Sequence, residues 1–138
     1  MLKTLNMQDI RQLNLFGKIT GINTRFCFKY NEMIIFCVPK GLVSKAIGEG
    51  GKNVRKMSEI LGKKIKVIPI PRGIYDARGF IEKIVNPLTF RGLEVKNNEI
   101  ILTAGSQNKA ALIGRNKRRF FELQKISKDY LGKEFKIV

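Results

Sequence analysis

Residues 46–57 have the sequence AIGEGGKNVRKM, and residues 112–123 have the related sequence LIGRNKRRFFEL. In both segments a glycine turn follows a short apolar helical stretch and precedes a basic amphipathic one. The two turns lie 66 residues apart, from Gly48 to Gly114. A glycine turn between two helices, with cations beyond it, leaves room for a phosphate backbone to come close. The two segments therefore indicate nucleic-acid binding rather than binding of a small metabolite.

The similarity extends to both sides of the turns. With the same offset, residues 30–36 (YNEMIIF) align with residues 96–102 (KNNEIIL), and with an offset of 70, residues 61–68 (LGKKIKVI) align with residues 131–138 (LGKEFKIV). We place the four extra residues, about one helical turn, in the last helix of the second copy. A period near 66 exceeds the ~20–50 residues of solenoid repeats. We therefore expect two copies of one small domain.

Each copy has the periodicities of an α+β domain. Alternation of side chains between two faces predicts strands at residues 24–30 and 33–38, which are joined by an Asn-Glu turn. The same signals predict a second pair of strands at residues 90–96 and 99–104. Helical spacing predicts a helix before each hairpin and another after each glycine turn, the latter ending at Gly62 and Gly132. The predicted order in each copy is helix, strand, strand, helix, glycine turn, helix, strand.

The predicted domains are residues 1–70 and 71–138. Their boundary is the segment Pro69-Ile70-Pro71-Arg72-Gly73, which is short and stiff, unlike a Gly/Ser linker. A ~65-residue domain buries only roughly 60% of its unfolded surface. We therefore expect the two domains to pack together through this Pro-containing linker.

The charge of the chain is strongly positive and evenly spread. There are 27 Lys and Arg residues against 11 Asp and Glu residues, a formal net charge of +16. Residues 1–70 hold 13 basic and 4 acidic residues, and residues 71–138 hold 14 and 7. This balance is typical of nucleic-acid binders, although a basic protein that binds anions loosely, or a ribosome-associated one, would also show it.

Several other classes of protein are disfavoured. Lys3 and Asn6 interrupt the N-terminus, where a signal peptide would need an apolar run, and no segment approaches a membrane span. Cys27 and Cys37 fall on opposite faces of the first hairpin, which suggests small apolar residues in a reducing compartment. Without histidine or a Cys-x-x-Cys pair, a zinc site is not expected.

The glycine segment does not match the nucleotide-binding loops of enzymes. A phosphate loop needs Gly-Lys-Ser/Thr, but Asn53 follows Lys52, and a dinucleotide fingerprint needs a third glycine where Asn53 stands. No serine or cysteine is set near a base, so we expect no catalytic activity. The glycines could also serve only to make a tight turn between helices.

Residues 47–54, IGEGGKNV, resemble the signature loop of the KH domain, an RNA-binding module. The predicted element order resembles the type II form of that domain. Two such domains in 138 residues resemble the archaeal NusA-like transcription termination factors over essentially the whole chain. The second loop, Gly114-Arg115-Asn116-Lys117, departs from the pattern because lysine stands where the last glycine is usual.

The resemblance implies how RNA would be held. A KH loop clamps the backbone of about four unpaired nucleotides, whose bases lie in an apolar groove. Gly48 and Gly51 would leave room for that backbone, Glu49 would point to solvent or a base edge, and the cations would contact phosphates. The implied RNA-binding residues are Lys45, Gly48, Glu49, Gly50, Gly51, Lys52, Arg55 and Lys56 in the first copy and Gly114, Arg115, Asn116, Lys117, Arg118 and Arg119 in the second.

One further pair has two interpretations. Phe120 and Phe121 could stack on bases, but an aromatic pair that opens an amphipathic helix is also typical of a core.

Two RNA-binding functions remain open after the sequence, and a nucleotide-dependent enzyme, which would have to bind ATP or GTP, is a third hypothesis. The first is a non-catalytic single-stranded RNA-binding protein that acts in transcription elongation or termination with RNA polymerase, where the transcription role follows from the resemblance alone. The second is a ribosome-assembly or rRNA-binding KH protein, which would show the same loops. We expect RNA and RNA polymerase as partners, no membrane, no cofactor and no metal. We also expect a monomer in the cytoplasm.

Overall fold

The structure, a computed structural model, describes residues 4–138. Residues 1–3 of the first predicted domain lie outside the described residues. The described chain divides into two compact units, Thr4–Ile70 and Pro71–Val138. Each unit combines three helices with one three-stranded sheet, which makes the fold a mixed α+β type.

The first unit follows the predicted order of elements. Its helices and strands are α1 (Met7–Thr20), β1 (Phe26–Tyr30), β2 (Met33–Val38), α2 (Val43–Ile47), α3 (Lys52–Leu61) and β3 (Lys64–Pro69). Helix α1 begins with a capping box, because the Asn6 side chain accepts from the Asp9 N–H at 2.8 Å and the Asp9 carboxylate accepts from the Asn6 N–H at 3.2 Å.

The second unit repeats this order. Its elements are α4 (Ala77–Val85), β4 (Gly92–Lys96), β5 (Glu99–Thr103), α5 (Lys109–Ile113), α6 (Arg118–Leu131) and β6 (Glu134–Ile137). Helix α6 has 14 residues and α3 has 10, so the four-residue insertion lies in the last helix, as predicted. Both helices end at a glycine in the left-handed conformation, Gly62 and Gly132, also as predicted.

The two sheets have the same topology. In each, the middle strand is antiparallel to the strand before it and parallel to the last strand of the unit. Cys27 pairs with Phe36 and Cys37 pairs with Phe26, as the two-residue turn predicted, and both cysteines are buried and form no disulfide. Asn31 and Glu32 have φ values of 51° and 62°, the left-handed geometry that a tight hairpin turn requires.

The core of the first unit lies between its helices and one face of its sheet. Phe16 of α1 stacks on Phe36 of β2 with ring centroids 4.5 Å apart, and Met57 of α3 is fully buried beside them. In the second unit Phe80 of α4 contacts Tyr130 of α6 with ring centroids 5.8 Å apart. Within residues 4–138, no helix has the length and apolar composition needed to cross a membrane.

Candidate nucleic-acid interface

The first glycine turn joins the end of α2 to the start of α3. The N–H of Gly48 donates to the carbonyl oxygen of Ser44 at 3.0 Å and closes the last turn of α2. The chain then makes one 3₁₀ turn over Glu49–Gly51, in which the Gly51 N–H donates to the Gly48 carbonyl oxygen at 2.9 Å. Helix α3 begins at Lys52, so two short-range hydrogen bonds turn the chain from one helix into the next.

Gly48 must be glycine for reasons internal to the protein. Its φ of 84° and ψ of 161° lie in a region that only glycine adopts without strain. A Cβ at this position would stand 2.9 Å from Cγ of Asn53 and 3.0 Å from its backbone nitrogen. The side chain of Asn53 donates in turn to the Lys45 carbonyl oxygen at 3.3 Å, which ties α3 to α2. The sequence left two interpretations of Gly48, room for a ligand and a tight turn between helices, and these contacts show that the fold itself needs the glycine.

Gly50 and Gly51 are the open part of the turn. Both adopt the left-handed conformation, with φ values of 63° and 78°. A Cβ at Gly50 would meet no atom within 4 Å, so this face of the loop is bare main chain. The guanidinium of Arg55 donates a hydrogen bond to the Gly50 carbonyl oxygen, which steadies the loop from the helix side.

The second turn follows the same path with different residues. Gly114 has φ 79° and ψ 169°, close to Gly48, and its N–H donates to the Ala110 carbonyl oxygen at 2.9 Å. Asn116 (φ 56°, ψ 29°) and Lys117 (φ 61°, ψ 23°) take the left-handed conformation of Gly50 and Gly51. The Lys117 N–H donates to the Gly114 carbonyl oxygen at 3.1 Å. Lysine in place of the last glycine therefore leaves the backbone geometry of the loop unchanged.

Arg119 differs from the other cations that the sequence assigned to RNA. It occupies the position of Asn53, and a Cβ on Gly114 would lie 2.6 Å from its Cγ, so its stem packs beneath the turn. Its guanidinium pairs with the carboxylate of Glu122, and the two side chains are only 15% and 21% exposed. The structure thus places Arg119 mainly in support of the loop.

The remaining assigned cations all lie at the surface. Exposed basic side chains flank both turns: Lys45, Lys52, Arg55, Lys56, Arg115, Lys117 and Arg118. Glu49, the acidic residue in the first turn, is also exposed, and Ile47 and Val54 pack against the core from either side of the turn.

Both turns also present a helix N-terminus. Neither α3 nor α6, as described, has a side-chain hydrogen bond that caps its first turn. The first N–H groups of a helix have no partner within it and carry partial positive charge, which favours a nearby anion. The first turn therefore combines accessible main chain, a positive helix end and surface cations, and the second combines a positive helix end with surface cations. Both arrangements are suited to a phosphate backbone.

The pKa of Lys66, a lysine outside the turns, is shifted from its ordinary value. Lys66 lies on β3 opposite Ile35 of β2 and is half-buried. Burial lowers the pKa of Lys66 below its ordinary value, and repulsion from Lys64 lowers it further. No group of His, Cys, Asp and Glu residues suited to hold a metal ion occurs in the part of the chain that the structure describes.

Sequence reasoning missed two features of this surface. Asn53 links the two helices behind the first turn, a role that its sequence position alone does not reveal. Phe120 and Phe121 behave differently from each other, since Phe120 is half-buried whereas Phe121 is 55% exposed. Only the orientation of α6 against the sheet separates the two rings, so a local pattern could not assign them.

The chain is similar to three curated archaeal proteins, each named "Probable transcription termination protein NusA". The relative from Methanococcus vannielii is 35% identical over 100 residues, 71% of this chain and 56% of the relative. The relative from Methanocaldococcus jannaschii is 34% identical over 92 residues, 67% of this chain and 49% of the relative. The relative from Halococcus morrhuae is 25% identical over 95 residues, 69% of this chain and 66% of the relative.

These relatives confirm the resemblance to archaeal NusA-like termination proteins that the sequence predicted. The chain spans about half the length of the first two of them. No protein-family model matches it. Its fold is similar to the crystal structure of APE1850, with a TM-score of 0.67 and 22% sequence identity over 96% of this chain and 99% of that one.

Proposed function

We propose that the chain is a single-stranded RNA-binding protein that acts in transcription elongation or termination, with RNA polymerase as a partner. In this proposal residues 1–70 and 71–138 are two tandem type II KH domains joined by the Pro-containing segment at residues 69–73. The observation that carries the proposal is the pair of glycine turns, which share one backbone path and are both flanked by exposed cations.

In each domain the turn would hold the sugar–phosphate backbone of about four nucleotides. Bare main chain at Gly50 lets a phosphate approach the N-terminus of α3, where Lys52, Arg55 and Lys56 surround it. Helical spacing supports this grouping, because residues three and four positions apart share a face. In the second domain the same path carries Arg115, Lys117 and Arg118. Arg119 would act through the loop rather than by touching RNA.

The role in transcription rests on the names of the relatives. Three archaeal proteins of the matched group are named as probable transcription termination proteins. A high positive charge in both halves of the chain fits a partner that is a nascent transcript, since polyanions are steered to such surfaces over long distances. The proposed protein has no catalytic activity and acts by binding alone.

A matched pair of substitutions tests the RNA site. Gly50→Asn and Gly50→Asp differ by one charge, and both residues tolerate the left-handed conformation, as Asn116 does at the corresponding position. Asn116→Asp makes the same change of charge in the second turn. A carboxylate about 5 Å from a phosphate costs roughly 1–3 kcal/mol in a partly screened site, so each Asp variant should bind unpaired RNA roughly tenfold more weakly.

Fluorescence anisotropy with labelled single-stranded RNA measures the effect, and circular dichroism confirms that the variants fold. Gly50→Asn should bind more tightly than Gly50→Asp, because it adds a side chain of the same size without the charge. If the double variant Gly50→Asp/Asn116→Asp is folded and binds RNA with unchanged affinity, then neither turn touches the backbone and the proposed site is wrong.

The partner needs a separate experiment. The tagged wild-type chain and the double Asp variant are used to recover complexes from an archaeal extract, with and without ribonuclease. RNA polymerase subunits should be recovered with the wild type. Recovery of pre-ribosomal particles without polymerase would contradict the role in transcription and favour the rRNA-binding alternative.

A further inference from the structure

The second unit carries an exposed aromatic ring beside its turn, where the first unit has an arginine. Phe121 lies in the first turn of α6 and is 55% exposed, whereas Leu123, two residues later, is fully buried. The Phe120 and Phe121 rings are tilted by 42° with centroids 5.8 Å apart, so the half-buried Phe120 supports one edge of the exposed ring. Phe121 is therefore fixed at the surface without being part of the core.

The surroundings of Phe121 are basic. Arg118 and Lys125 lie three residues before and four after Phe121 in α6, so they share its side of the helix, and Lys117 stands at the N-cap directly before the first residue of α6. All three are exposed, and the side chain of Lys125, which pairs with Asp129, is 73% exposed. An apolar protein partner would have to desolvate these charges, whereas a polyanion would pair with them. The charge pattern thus selects a ligand that combines a flat apolar surface with negative charge.

The first turn shows how close the positions of Lys117 and Phe121 are to each other. A Cβ at Gly51 would lie 3.3 Å from Nη1 of Arg55, and the corresponding residues of the second turn are Lys117 and Phe121. In the first turn that arginine is held by the Gly50 carbonyl oxygen. In the second turn the aromatic ring of Phe121 stands at the position of Arg55, and a cation, Lys117, stands in the loop at the position of Gly51.

We propose that Phe121 stacks on an unpaired nucleobase, while Lys117 and Arg118 contact the phosphates on either side of that base. The two units then hold RNA differently: the first by main chain and cations, the second by a stacked base inside a ring of cations. This inference rests on the proposed RNA binding and adds the chemical group of the RNA that the second unit recognises, an unpaired nucleobase. Every base has a flat π-face, so the contact tolerates sequence and favours the bases that stack best.

The chain contains no tryptophan, which gives the experiment a clean reporter. Phe121→Trp places one indole at the proposed stacking position, and Ile60→Trp places one on α3 at a residue that is 56% exposed, as a control of matched accessibility. Single-stranded RNA should quench the indole emission of the Phe121→Trp variant and leave that of the Ile60→Trp variant nearly unchanged. Phe121→Ala should weaken binding roughly 5- to 100-fold, as expected for loss of one stacked base.

The outcomes separate this inference from the proposal on which it rests. If the wild type fails to bind single-stranded RNA, the proposed function itself fails. If the wild type binds but Phe121→Ala binds equally well and the Phe121→Trp emission is not quenched, only the stacking contact is wrong. Quenching of the Phe121→Trp emission by poly-glutamate but not by RNA would also overturn the inference, since it would assign the surface to an acidic protein.

Discussion

Gly51 and Lys117 adopt the same left-handed backbone conformation, with φ/ψ of 78°/18° and 61°/23°. A non-glycine residue there carries a cost of about 1–2 kcal/mol. The surrounding turn, with its hydrogen bond from the Lys117 N–H to Gly114, holds the residue in place. The second turn therefore has the same backbone shape as the first. At the position where Gly51 leaves the main chain accessible, the second turn carries the positive charge of Lys117.

Lys117→Gly should therefore have opposite effects on stability and on RNA binding. The free energy of unfolding should rise by about 0.5–1 kcal/mol, because relief of backbone strain is partly offset by the greater freedom of glycine in the unfolded chain. RNA affinity should fall, because a cation is lost while the backbone path stays the same. Urea unfolding and anisotropy measure the two effects, with Lys117→Asn as a neutral control that tolerates the conformation. Tighter binding by Lys117→Gly would mean that the lysine obstructs the site.

The glycines of the first turn should differ sharply in tolerance. Gly48→Ala should destabilise the protein by about 1–3 kcal/mol, since it forces an L-residue into a region reserved for glycine. Its Cβ would also stand 2.9 Å from the Asn53 side chain. Gly50→Asn should cost less than about 1 kcal/mol, as the position is open and compatible with asparagine. Thermal unfolding measures which of the two variants is less stable. Equal destabilisation by Gly48→Ala and Gly50→Asn would contradict the different roles given to these two glycines.

Arg118 and Arg119 are adjacent but should act differently. Arg119→Met should lower the melting temperature, because the guanidinium pairs with Glu122 in a half-buried setting beneath the turn. Arg118→Met should leave the melting temperature nearly unchanged and weaken RNA binding. Both variants remove one charge and keep an unbranched stem, so each serves as the control for the other. A larger loss of RNA affinity in Arg119→Met, with unchanged stability, would show that Arg119 contacts the ligand directly.

The salt dependence of RNA binding should report the number of phosphates held. If one unit neutralises about four phosphates of a single strand, log K against log salt should have a slope of roughly −3, and engagement of both units should steepen it to about −5 to −6. Short and long oligonucleotides, titrated from 50 to 300 mM salt, separate the two cases. A flat dependence would argue against phosphate contacts altogether.

Lys66 should make stability depend on alkaline pH. Its lowered pKa means that the folded protein holds this proton less tightly than the unfolded chain does. Stability therefore rises with pH between the lowered pKa of Lys66 in the folded state and the unfolded value of about 10.4. Lys66→Met should raise the melting temperature at pH 7, and its advantage over the wild type should shrink as the pH rises towards the unfolded pKa of about 10.4. If the difference in melting temperature between Lys66→Met and the wild type does not change with pH, the gain in stability comes from packing of the methionine and not from removal of the charge.

The regular elements were accessible to sequence reasoning because their causes are local. Alternation marked the hairpins, the Asn31-Glu32 turn set the register, and the glycines that end α3 and α6 marked those ends. Predicted bounds differed from the observed ones by one or two residues at several ends, as at residues 90–96, where the strand begins at Gly92.

The details of the site depend on tertiary structure and were less accessible. Nothing local shows that Lys117 adopts a left-handed conformation, since lysine disfavours it and only the surrounding turn imposes it. Counting charges did not separate Arg119, which is held by Glu122, from the exposed Arg118. The exposure of Phe121 likewise depends on how α6 lies on the sheet.

The shared path of the two turns bears on how such domains are recognised. Of the four loop positions, only the first has torsion angles and neighbours that exclude every side chain, as Gly48 and Gly114 show. The last two accept Gly-Gly in one copy and Asn-Lys in the other. A search pattern that insists on glycine at both ends would discard the second unit. A pattern with one obligatory glycine, followed two residues later by a pair able to turn left-handed, would retain it.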